Sequence, residues 1–410
     1  MYKRIDHCRI SGSSNLLTTL SLGEQAFTGI FPADKNAAVP RGPLELVWCP
    51  ESHLLQLAYS FDPHVLYGEN YGYRSGLNRS MVRHLTDKAL LVSRLAALQE
   101  GDLVLDIGSN DGTLLNAYST PGVTKLGIDP TGGKFRRFYQ DDILLVTDFF
   151  TRDRFIATVG NRKAKLITSI AMFYDLEDPI AFARDIHCCL SDDGVWHFEQ
   201  SYMPSMLRTN AYDTVCHEHI SYYSLSAVKH ILDASDFEIV DVLMNAINGG
   251  SFAVSARKRS ARARRSSPVV DWLLADERRM GLHTPRPFRD FEERVFDHRQ
   301  RLVDLIYSIL NDGKKILGYG ASTKGNVLLQ FCGFTSQHIA CIADLNPDKH
   351  GHYTPGTGIP IVSEEEARAM NPDYFLVMPW HFKPGIVERE AEFLSRGGHL
   401  IFPMPEIEIV

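Results

Sequence analysis

Eight consecutive residues near the middle of the chain carry side chains that can move protons. They are Cys216-His217-Glu218-His219-Ile220-Ser221-Tyr222-Tyr223. An imidazole can act as a general base, a carboxylate can orient it, and a phenol can donate a hydrogen bond to a developing oxyanion. We therefore predict that His219, Glu218 and Tyr222 take part in proton abstraction. Two alternatives stay open: the pair His217-x-His219 as zinc ligands on one face of a strand, and a structural role in packing.

A glycine-rich segment has the arrangement of a nucleotide-binding loop. The apolar run Leu103-Val104-Leu105-Asp106 leads into Ile107-Gly108-Ser109-Asn110-Asp111-Gly112 and then into an apolar helical stretch. Glycines let the backbone approach a ligand closely, and the first turn of a helix offers free N–H groups. The next predicted strand ends in Asp129, whose carboxylate can accept hydrogen bonds from ribose hydroxyls.

The carboxylates of this loop favour S-adenosylmethionine over a dinucleotide. Asp106, at the end of the strand, would face the ammonium or sulfonium region of the methyl donor. A dinucleotide loop needs an uncharged approach to pyrophosphate, which Asp111 would oppose. After the following strand, Asp148 and Phe149 can bind and cover an adenine, and a place in the core is the alternative for Phe149.

A second strand–loop–helix pattern lies near the C-terminus, at residues 315–325. We expect Lys324 and the helix N-terminus to attract a diphosphate. Asp344, about 20 residues further on, suits a ribose hydroxyl. The loop has Thr323 where the pattern Gly-x-Gly-x-x-Gly places its last glycine, so it is an incomplete dinucleotide site.

The sequence around these loops predicts the elements that hold them. Apolar runs alternate with helical stretches after residue 81, which is typical of a parallel, doubly wound sheet. An antiparallel pair follows, Phe237 to Met244 and Ser251 to Ala256. The basic run 257–265 is interpreted as a solvated linker, with a phosphate-binding patch as the alternative. We expect a β-rich lobe at 1–80, an α/β domain at 81–256, a basic linker and long helix at 257–312, and a second α/β domain at 313–410.

Composition narrows the class of protein. The 410 residues are 44% hydrophobic and 23% charged, as expected for a globular protein of two or three domains. The net charge of −7 gives no general attraction for nucleic acid. No apolar run approaches the roughly 20 residues of a membrane span, and the N-terminus has no signal-peptide core. We expect a cytoplasmic monomer or homodimer with reduced cysteines.

Together the motifs resemble those of the sugar C-methyltransferases of deoxysugar biosynthesis, over nearly the whole chain. The marks are Cys8-Arg9-Ile10-Ser11, Leu22-Gly23, Gln56-Leu57, the first glycine loop, Thr147-Asp148-Phe149-Phe150, Glu218-His219, Asn248-Gly249-Gly250, the second glycine loop, Asp344-x-x-Pro347-Asp348-Lys349 and Pro355-Gly356.

The resemblance implies an α/β protein of three parts. These are a small zinc-binding N-terminal lobe, a central Rossmann-like class I methyltransferase domain and a C-terminal Rossmann-like domain. A thymidine-diphosphate 4-keto sugar would lie between the last two. His219 would be the base, helped by Glu218, and Tyr71 would lie at the sugar. The other candidate substrate contacts are Tyr73, Arg74, Asn248, Tyr319, Ser322, Lys324, Asn326 and Asp344.

The chain departs from the family pattern in two places. The family's zinc lobe has two Cys-x-x-Cys pairs, and here each second cysteine is serine, giving Cys8-x-x-Ser11 and Cys49-x-x-Ser52. Two thiolates cannot complete a tetrahedral zinc site, so we expect no bound zinc. Cys216 stands where the family often has tyrosine, which changes the shape of the site.

These observations predict a C-methyltransferase that acts next to the ketone of a nucleotide-linked deoxysugar. His219 removes the proton, a phenol (Tyr71, Tyr73 or Tyr222) donates to the enolate oxygen, and S-adenosylmethionine provides the methyl group. Methylation of oxygen or nitrogen on another scaffold is the first alternative. A nicotinamide-dependent oxidoreductase that uses the second loop, and a non-catalytic nucleotide-binding protein, are the others.

Overall fold

The computed structural model describes residues 2–67, 72–261 and 267–410. The first of these ranges forms a small lobe made mainly of strands. Its elements are β1 (Tyr2–Arg4), β2 (Leu17–Ala26), β3 (Arg41–Trp48), β4 (Leu55–Leu57), β5 (Tyr59–Phe61) and α1 (Pro63–Leu66). The alternation of buried and exposed residues along β2 and β3 places one face of this sheet on an apolar core.

The middle of the chain forms a seven-stranded sheet with helices on both faces. Its elements are α2 (Arg79–Ala96), β6 (Leu103–Ile107), α3 (Thr113–Asn116), β7 (Thr124–Ile128), α4 (Gly132–Phe135), β8 (Ile143–Val146), α5 (Arg152–Val159), β9 (Ala164–Ile170), α6 (Pro179–Cys189), β10 (Leu190–Ser201), α7 (Met203–Arg208), β11 (Ser221–Tyr222), α8 (Leu225–Asp233), β12 (Phe237–Asn245) and β13 (Ser251–Lys258). All five residues of β6 are buried, as a central parallel strand requires.

The strand order of this sheet defines where a ligand is expected. The order is β12-β13-β10-β9-β6-β7-β8. The five strands from β10 to β8 are parallel, and β13 pairs antiparallel with both β10 and β12, so only β13 is reversed. From β6 the chain proceeds to β7 and β8 on one side, and it returns to the other side at β9. Open α/β sheets bind ligands in the crevice at such a reversal, outside the carboxyl ends of the strands.

The C-terminal part forms a second α/β unit behind two long helices. Its elements are α9 (Pro268–Arg279), α10 (Arg286–Asn311), β14 (Ile316–Tyr319), α11 (Thr323–Cys332), β15 (Ile342–Ala343), β16 (Ile361–Val362), α12 (Glu364–Ala369), β17 (Tyr374–Val377), α13 (Lys383–Arg389), α14 (Ala391–Ser395), β18 (His399–Phe402) and β19 (Glu408–Ile409). The order is β16-β15-β14-β17-β18-β19, and only β19 is antiparallel to its neighbour. Here the order reverses between β14 and β17.

The acid–base segment is built into the N-terminal sheet. β11 pairs antiparallel with β4, so that the sheet has the order β11-β4-β3-β2. The loop that leaves the central sheet after β10 therefore crosses to the lobe before it returns at α8. This crossing fixes residues 216–223 between the two parts of the molecule.

The predicted α/β class is confirmed, with its β-rich N-terminal lobe, its central doubly wound sheet and its second α/β unit. The antiparallel pair is present as β12 and β13. The first residues of the basic run have partners: Arg257 donates to the Leu95 carbonyl, Lys258 pairs with Asp192, and Arg259 with Asp233. Residues 262–265 of that run lie outside the described residues. No helix in the described ranges is long and apolar enough to cross a membrane.

Candidate active site

The first glycine loop leaves β6 at the reversal of the strand order. Asp106, near the end of β6, is 3% exposed, and its Oδ1 accepts from the Thr168 hydroxyl at 2.6 Å. Gly108 and Gly112 have φ values of +72° and +77°, a region that glycine adopts without strain. A Cβ at Gly112 would also lie 2.7 Å from the ring of Tyr139. The predicted glycines are therefore required by both backbone conformation and close packing.

Asp129 holds this loop in place. Its Oδ2 accepts from the Asn110 backbone N–H at 2.8 Å, and its Oδ1 accepts from the N–H and the hydroxyl of Thr131, both at 2.6 Å. A carboxylate offers about four acceptor positions, so roughly one is left for a ribose hydroxyl. Asp129 can thus serve the loop and a ligand at the same time.

The site around the first loop is acidic. Burial raises the pKa of Asp106 to about 7, against the lowering effect of the Thr168 hydrogen bond, and the neighbouring Asp129 raises it further. Burial also raises the pKa of Asp129. Across the described ranges, no lysine or arginine lies within 4.0 Å of either carboxylate. A cation placed here would stabilise both charged forms.

The two residues proposed for the adenine lie at the rim of this region. Asp148 pairs with Arg154 at 2.5 Å and is about half-exposed. The ring of Phe149 makes an edge contact with His64 of the N-terminal lobe at 5.2 Å. Phe150, the next residue, instead packs against Phe182 at 5.4 Å in the core of the central unit. Of the two phenylalanines, Phe149 is the one at the rim.

His219 lies in a cavity on the far side of β9 from the first loop. Its Nδ1 is 3.1 Å from the carbonyl oxygen of Thr214. A carbonyl only accepts, so Nδ1 carries the proton and Nε2 keeps a free lone pair. The Tyr174 ring contacts the imidazole at 4.4 Å. The cavity is narrow, with a volume of about 10 Å³, and is lined by Tyr174, Ser201, Met203, Met206, Thr214, His219, Ser221 and Tyr222.

Burial lowers the pKa of His219 to about 4, and the Lys324 ammonium lowers it further. The imidazole is therefore neutral at ordinary pH. A neutral imidazole with one fixed N–H and one free lone pair is the form that a general base requires. Tyr222 lines the same cavity, and its hydroxyl donates to the Thr214 carbonyl at 3.4 Å.

His217 and Glu218 point away from His219. His217 is fully buried between Phe27 and Phe61, and its Nε2 bonds to the Gly42 carbonyl at 3.1 Å. Glu218 accepts from the Thr28 hydroxyl at 3.4 Å. No hydrogen bond joins Glu218 to His219 within the described ranges. The segment therefore contributes one cavity imidazole, and the other two residues contact the N-terminal lobe.

In the second glycine loop, as in the first, a backbone N–H of the loop donates to the carboxylate at the end of the next strand. The Ala321 N–H donates to Asp344 at 2.7 Å, and Lys349 lies 3.8 Å from the same carboxylate. Ser322 caps α11 by accepting from the Gly325 N–H at 3.0 Å. The amide of Asn326 donates to the Thr28 carbonyl at 2.8 Å. Asn326 thus joins α11 to the N-terminal lobe and is only 1% exposed.

Two more predicted substrate residues have defined partners. The Lys324 ammonium donates to the carbonyl oxygen of Asn248 at 2.9 Å, which joins the C-terminal unit to the loop between β12 and β13. Tyr319 is buried on the other face of its sheet, where its hydroxyl contacts Glu390 and Arg389. The structure therefore brings Lys324 and Asn248 together and holds the Tyr319 hydroxyl in a separate ionic network.

The aromatic cluster before α2 is described in part. Tyr71 lies outside the described residues. The Tyr73 side chain is 51% exposed, and its carbonyl accepts from the Asn110 amide at 3.1 Å. Arg74 stacks on the Phe138 ring at 4.1 Å and lies 3.5 Å from Asp111. Tyr73 and Arg74 therefore contact the first glycine loop.

Family models match three successive parts of the chain. A model described as the C-methyltransferase C-terminal domain matches residues 246–405, and a methyltransferase domain model matches residues 81–242. A zinc binding domain model matches residues 8–67. These three ranges cover the N-terminal lobe, the central sheet and the second α/β unit in turn.

Individual proteins are also similar to this chain. The plantazolicin methyltransferase BpumL, solved with SAH, has a TM-score of 0.35 at 14% identity and covers 43% of this chain and 84% of its own. The methyltransferase solved with the Haloferax volcanii Trm112 activator has a TM-score of 0.35 at 14% identity, with 44% and 94% covered. The C-methyltransferase NovU of Streptomyces niveus is 32% identical over 410 residues, 99% of this chain and 97% of NovU.

The chain belongs to the C-methyltransferase family. It is an S-adenosylmethionine-dependent methyltransferase, and the predicted resemblance is confirmed. This assignment selects the methyltransferase over the oxidoreductase and the non-catalytic binding protein. The residues of the first loop fit the cofactor, because the buried carboxylates of Asp106 and Asp129, which have no lysine or arginine within 4.0 Å in the described residues, suit a sulfonium and an ammonium group.

Two of the four residues at the zinc positions of the family pattern are serines in this methyltransferase. Cys8 Sγ is 3.1 Å from the Ser52 hydroxyl, and the Ser11 hydroxyl is 3.4 Å from Cys49 Sγ. The four positions thus come together, but only two are thiols, and zinc takes Cys, His or carboxylate ligands. In the three described ranges, no group of three or more such residues could hold a metal ion.

Sequence reasoning missed the groups that hold His219 in place. Thr214 acts through its backbone carbonyl, which any residue could supply, so the sequence carries no signal for it. Tyr174 follows the end of β9, at the strand reversal, and that position was the available signal. Thr28 and Glu218 are far apart in the sequence, so no local pattern signals their hydrogen bond.

Proposed function

We propose that this methyltransferase adds a methyl group to a carbon next to a ketone of a nucleotide-linked deoxysugar. The observation that carries the proposal is the imidazole of His219, which lines a cavity. Its Nδ1 is held by the Thr214 carbonyl, and its Nε2 makes no hydrogen bond to any residue that the structure describes. A carbon beside a ketone becomes nucleophilic only after a base removes its proton. Such a base is the group that methylation of carbon needs.

The first glycine loop is proposed to hold the methyl donor. Asp106 would face its cationic end, and Asp129 would accept from a ribose hydroxyl. Gly108, Asn110 and Gly112 let the backbone approach, while Asp148 and Phe149 border the adenine. When bound, S-adenosylmethionine supplies an electrophilic methyl group. The chain's own task is to orient the acceptor carbon toward it, and such positioning contributes much of the acceleration in reactions of this kind.

The second loop is proposed to bind the nucleotide diphosphate. The ten-residue helix α11 begins after Ser322, and its free N–H groups attract phosphate oxygens. Asp344 would reach a ribose hydroxyl. The sugar would then extend toward Asn248 and the His219 cavity, where Tyr222 lies as a phenol donor.

The remaining predicted contacts divide by position. Tyr73 and Arg74 lie beside the first loop, where they would border the sugar from the donor side. Glu218 contacts the lobe and is proposed to act on the shape and charge of the cavity wall. Burial raises the pKa of Glu218.

The test is to follow where the methyl group goes. Purified protein is incubated with methyl-¹³C S-adenosylmethionine and a panel of thymidine- and uridine-diphosphate 4-keto sugars. The same nucleotides carrying sugars without a ketone serve as the matched control. We expect one added methyl per product, on a carbon next to the ketone by ¹³C NMR, and none on the control sugars. A methyl found on oxygen or nitrogen, or equal reaction of the control sugars, would contradict the proposal.

A further inference from the structure

Lys324 is a cation with few partners. Its Nζ donates to the Asn248 carbonyl at 2.9 Å, and within the described ranges it has no second acceptor and no carboxylate within 4.0 Å. An ammonium has three N–H donors. Burial lowers the pKa of Lys324 although Asp213 and Cys216 raise it. Two N–H donors at an enclosed interface point to a polar atom of a ligand.

The helix that carries Lys324 packs against the same turn that holds His219. α11 packs against the turn Tyr212–Thr214, and the Thr214 carbonyl of that turn holds His219. Asp213, from the same turn, is 2% exposed and accepts from the Trp380 indole at 2.8 Å. One short turn therefore supports both the imidazole and the helix that carries the lysine.

The direction of the lysine separates it from a phosphate ligand. A lysine serving the diphosphate would extend over the N–H groups of its own glycine loop. Lys324 instead reaches across the interface to Asn248, in the methyltransferase unit. Trp380 closes the same interface, since a Cβ on Gly249 would lie 3.0 Å from its ring. The ammonium therefore faces the methyltransferase unit.

We propose that Lys324 stabilises the negative charge that forms on the ketone oxygen when His219 removes the neighbouring proton. This inference rests on the proposed function. In the step, the C–H bond breaks and an N–H bond forms at Nε2 of His219. The C–H electron pair becomes the C=C bond of an enolate, and the carbonyl π pair moves to oxygen, where the two free N–H groups of Lys324 donate. A fixed donor aimed at a developing oxyanion is worth most in a site shielded from water.

Lys324 also affects the protonation of His219. Next to burial, Lys324 is the group that lowers the pKa of His219 to about 4. An imidazole kept unprotonated is ready to accept a proton. Once the enolate has formed, its charge offsets both the ammonium and the new imidazolium. Lys324 thereby acts on both partners of the proton transfer.

The experiment compares Lys324→Met, which removes the charge at similar volume, with Lys324→Arg, which keeps it. Three quantities are measured: exchange of the sugar's α-proton in deuterated water without methyl donor, the pH dependence of that exchange, and the affinity for thymidine diphosphate. Lys349→Met is the matched control, because Lys349 contacts Ala321 and Asp344 of the nucleotide loop.

We expect Lys324→Met to lose about 10²–10³-fold in exchange rate, the usual cost of removing one oxyanion donor. Its acid limb should move from about pH 4 toward the ordinary value of histidine, because loss of the cation raises the pKa of His219. Its affinity for thymidine diphosphate should stay close to wild type. Lys324→Arg should keep the low acid limb. Lys349→Met should show weaker affinity for thymidine diphosphate.

The opposite pattern would overturn the inference. If Lys324→Met exchanges the proton at the wild-type rate but binds thymidine diphosphate weakly, the lysine is a phosphate ligand. The proposed function would survive that result. If the wild-type protein exchanges no α-proton from any keto-sugar nucleotide, the proposed function fails, and the role of Lys324 fails with it.

Discussion

The two glycine loops of this methyltransferase make the same kind of backbone hydrogen bond, but the charged side chains around them differ. In each, an N–H of the loop donates to the carboxylate at the end of the next strand: Asn110 to Asp129 at 2.8 Å, and Ala321 to Asp344 at 2.7 Å. The first loop adds the buried Asp106. The second has Lys349 3.8 Å from its carboxylate.

This difference shows that the sequence encodes the shape of a loop and the charge around it through different residues. Glycines and the strand-end acid set the shape of a loop that can receive a nucleoside. The charges around the loop select what the nucleoside carries, because a carboxylate region suits a sulfonium whereas lysine and a helix N-terminus suit a diphosphate. His219 lies in a cavity lined by residues of the central unit, and we propose that the two ligands meet there.

The largest expected effect on the rate of methylation is that of replacing His219. His219→Ala should bind both ligands with near wild-type affinity and lose about 10²–10⁴-fold in the rate of methylation, the typical contribution of a general base. Glu218→Gln should cost less, because Glu218 contacts Thr28 and makes no hydrogen bond to His219 in the described ranges. Steady-state rates with calorimetric affinities check this, and equal losses in the two variants would contradict the geometry.

The first loop is tested next through Asp129. Asp129→Ala should weaken S-adenosylmethionine binding by roughly 2–3 kcal/mol, the cost of losing a hydrogen bond to a charged group together with its support of the loop. Thr131→Val is the matched control, since it removes one donor to Asp129 and leaves the carboxylate. Calorimetry that gives equal affinities for wild type and Asp129→Ala would remove Asp129 from the site.

A smaller, pH-dependent effect would sharpen the contrast in charge. The pKa of Asp106 is raised to about 7 by burial, so this carboxyl ionises as pH rises through that value. A cationic ligand prefers the ionised form, so affinity for S-adenosylmethionine should increase by up to about tenfold per unit below pH 7 and level off above it. Asp106→Asn should abolish this dependence. The same pH profile in wild type and Asp106→Asn would show that another group titrates.

The smallest effect concerns the lobe that supports both units. We predict that the wild-type protein folds without zinc, because Ser11 and Ser52 replace two thiols of the family pattern. The double change Ser11→Cys and Ser52→Cys should create a four-thiol site that takes up one zinc per chain. Elemental analysis of both proteins is the measurement. Stoichiometric zinc in the wild type, lost on Cys49→Ala, would contradict the prediction.

Elements with a strong local pattern could be predicted from the sequence. Ile143–Val146 is a continuous apolar run and forms β8, and the apolar run 400–402 lies within β18. Only two residues of β15, Ile342–Ala343, are in the ladder. β11 was not predicted, since two residues are too few to show a period.

The candidate site was predictable in its residue types and less so in their directions. The sequence places Glu218 beside His219, but successive residues of an extended segment point to opposite sides, and Glu218 faces the lobe. The partner of His219 is a backbone carbonyl, which has no signature. Lys324 was predicted at the diphosphate, whereas its contact with Asn248 is a long-range feature of how the units pack.

The most direct test of the account is proton exchange without methylation. A 4-keto sugar nucleotide is incubated with the protein in deuterated water, without S-adenosylmethionine, and loss of the α-proton is followed by NMR. We expect exchange by the wild type, where the proton escapes from His219 to solvent, and no exchange above background by His219→Ala. Exchange by His219→Ala at a near wild-type rate would contradict it, and His219 would then be a structural residue.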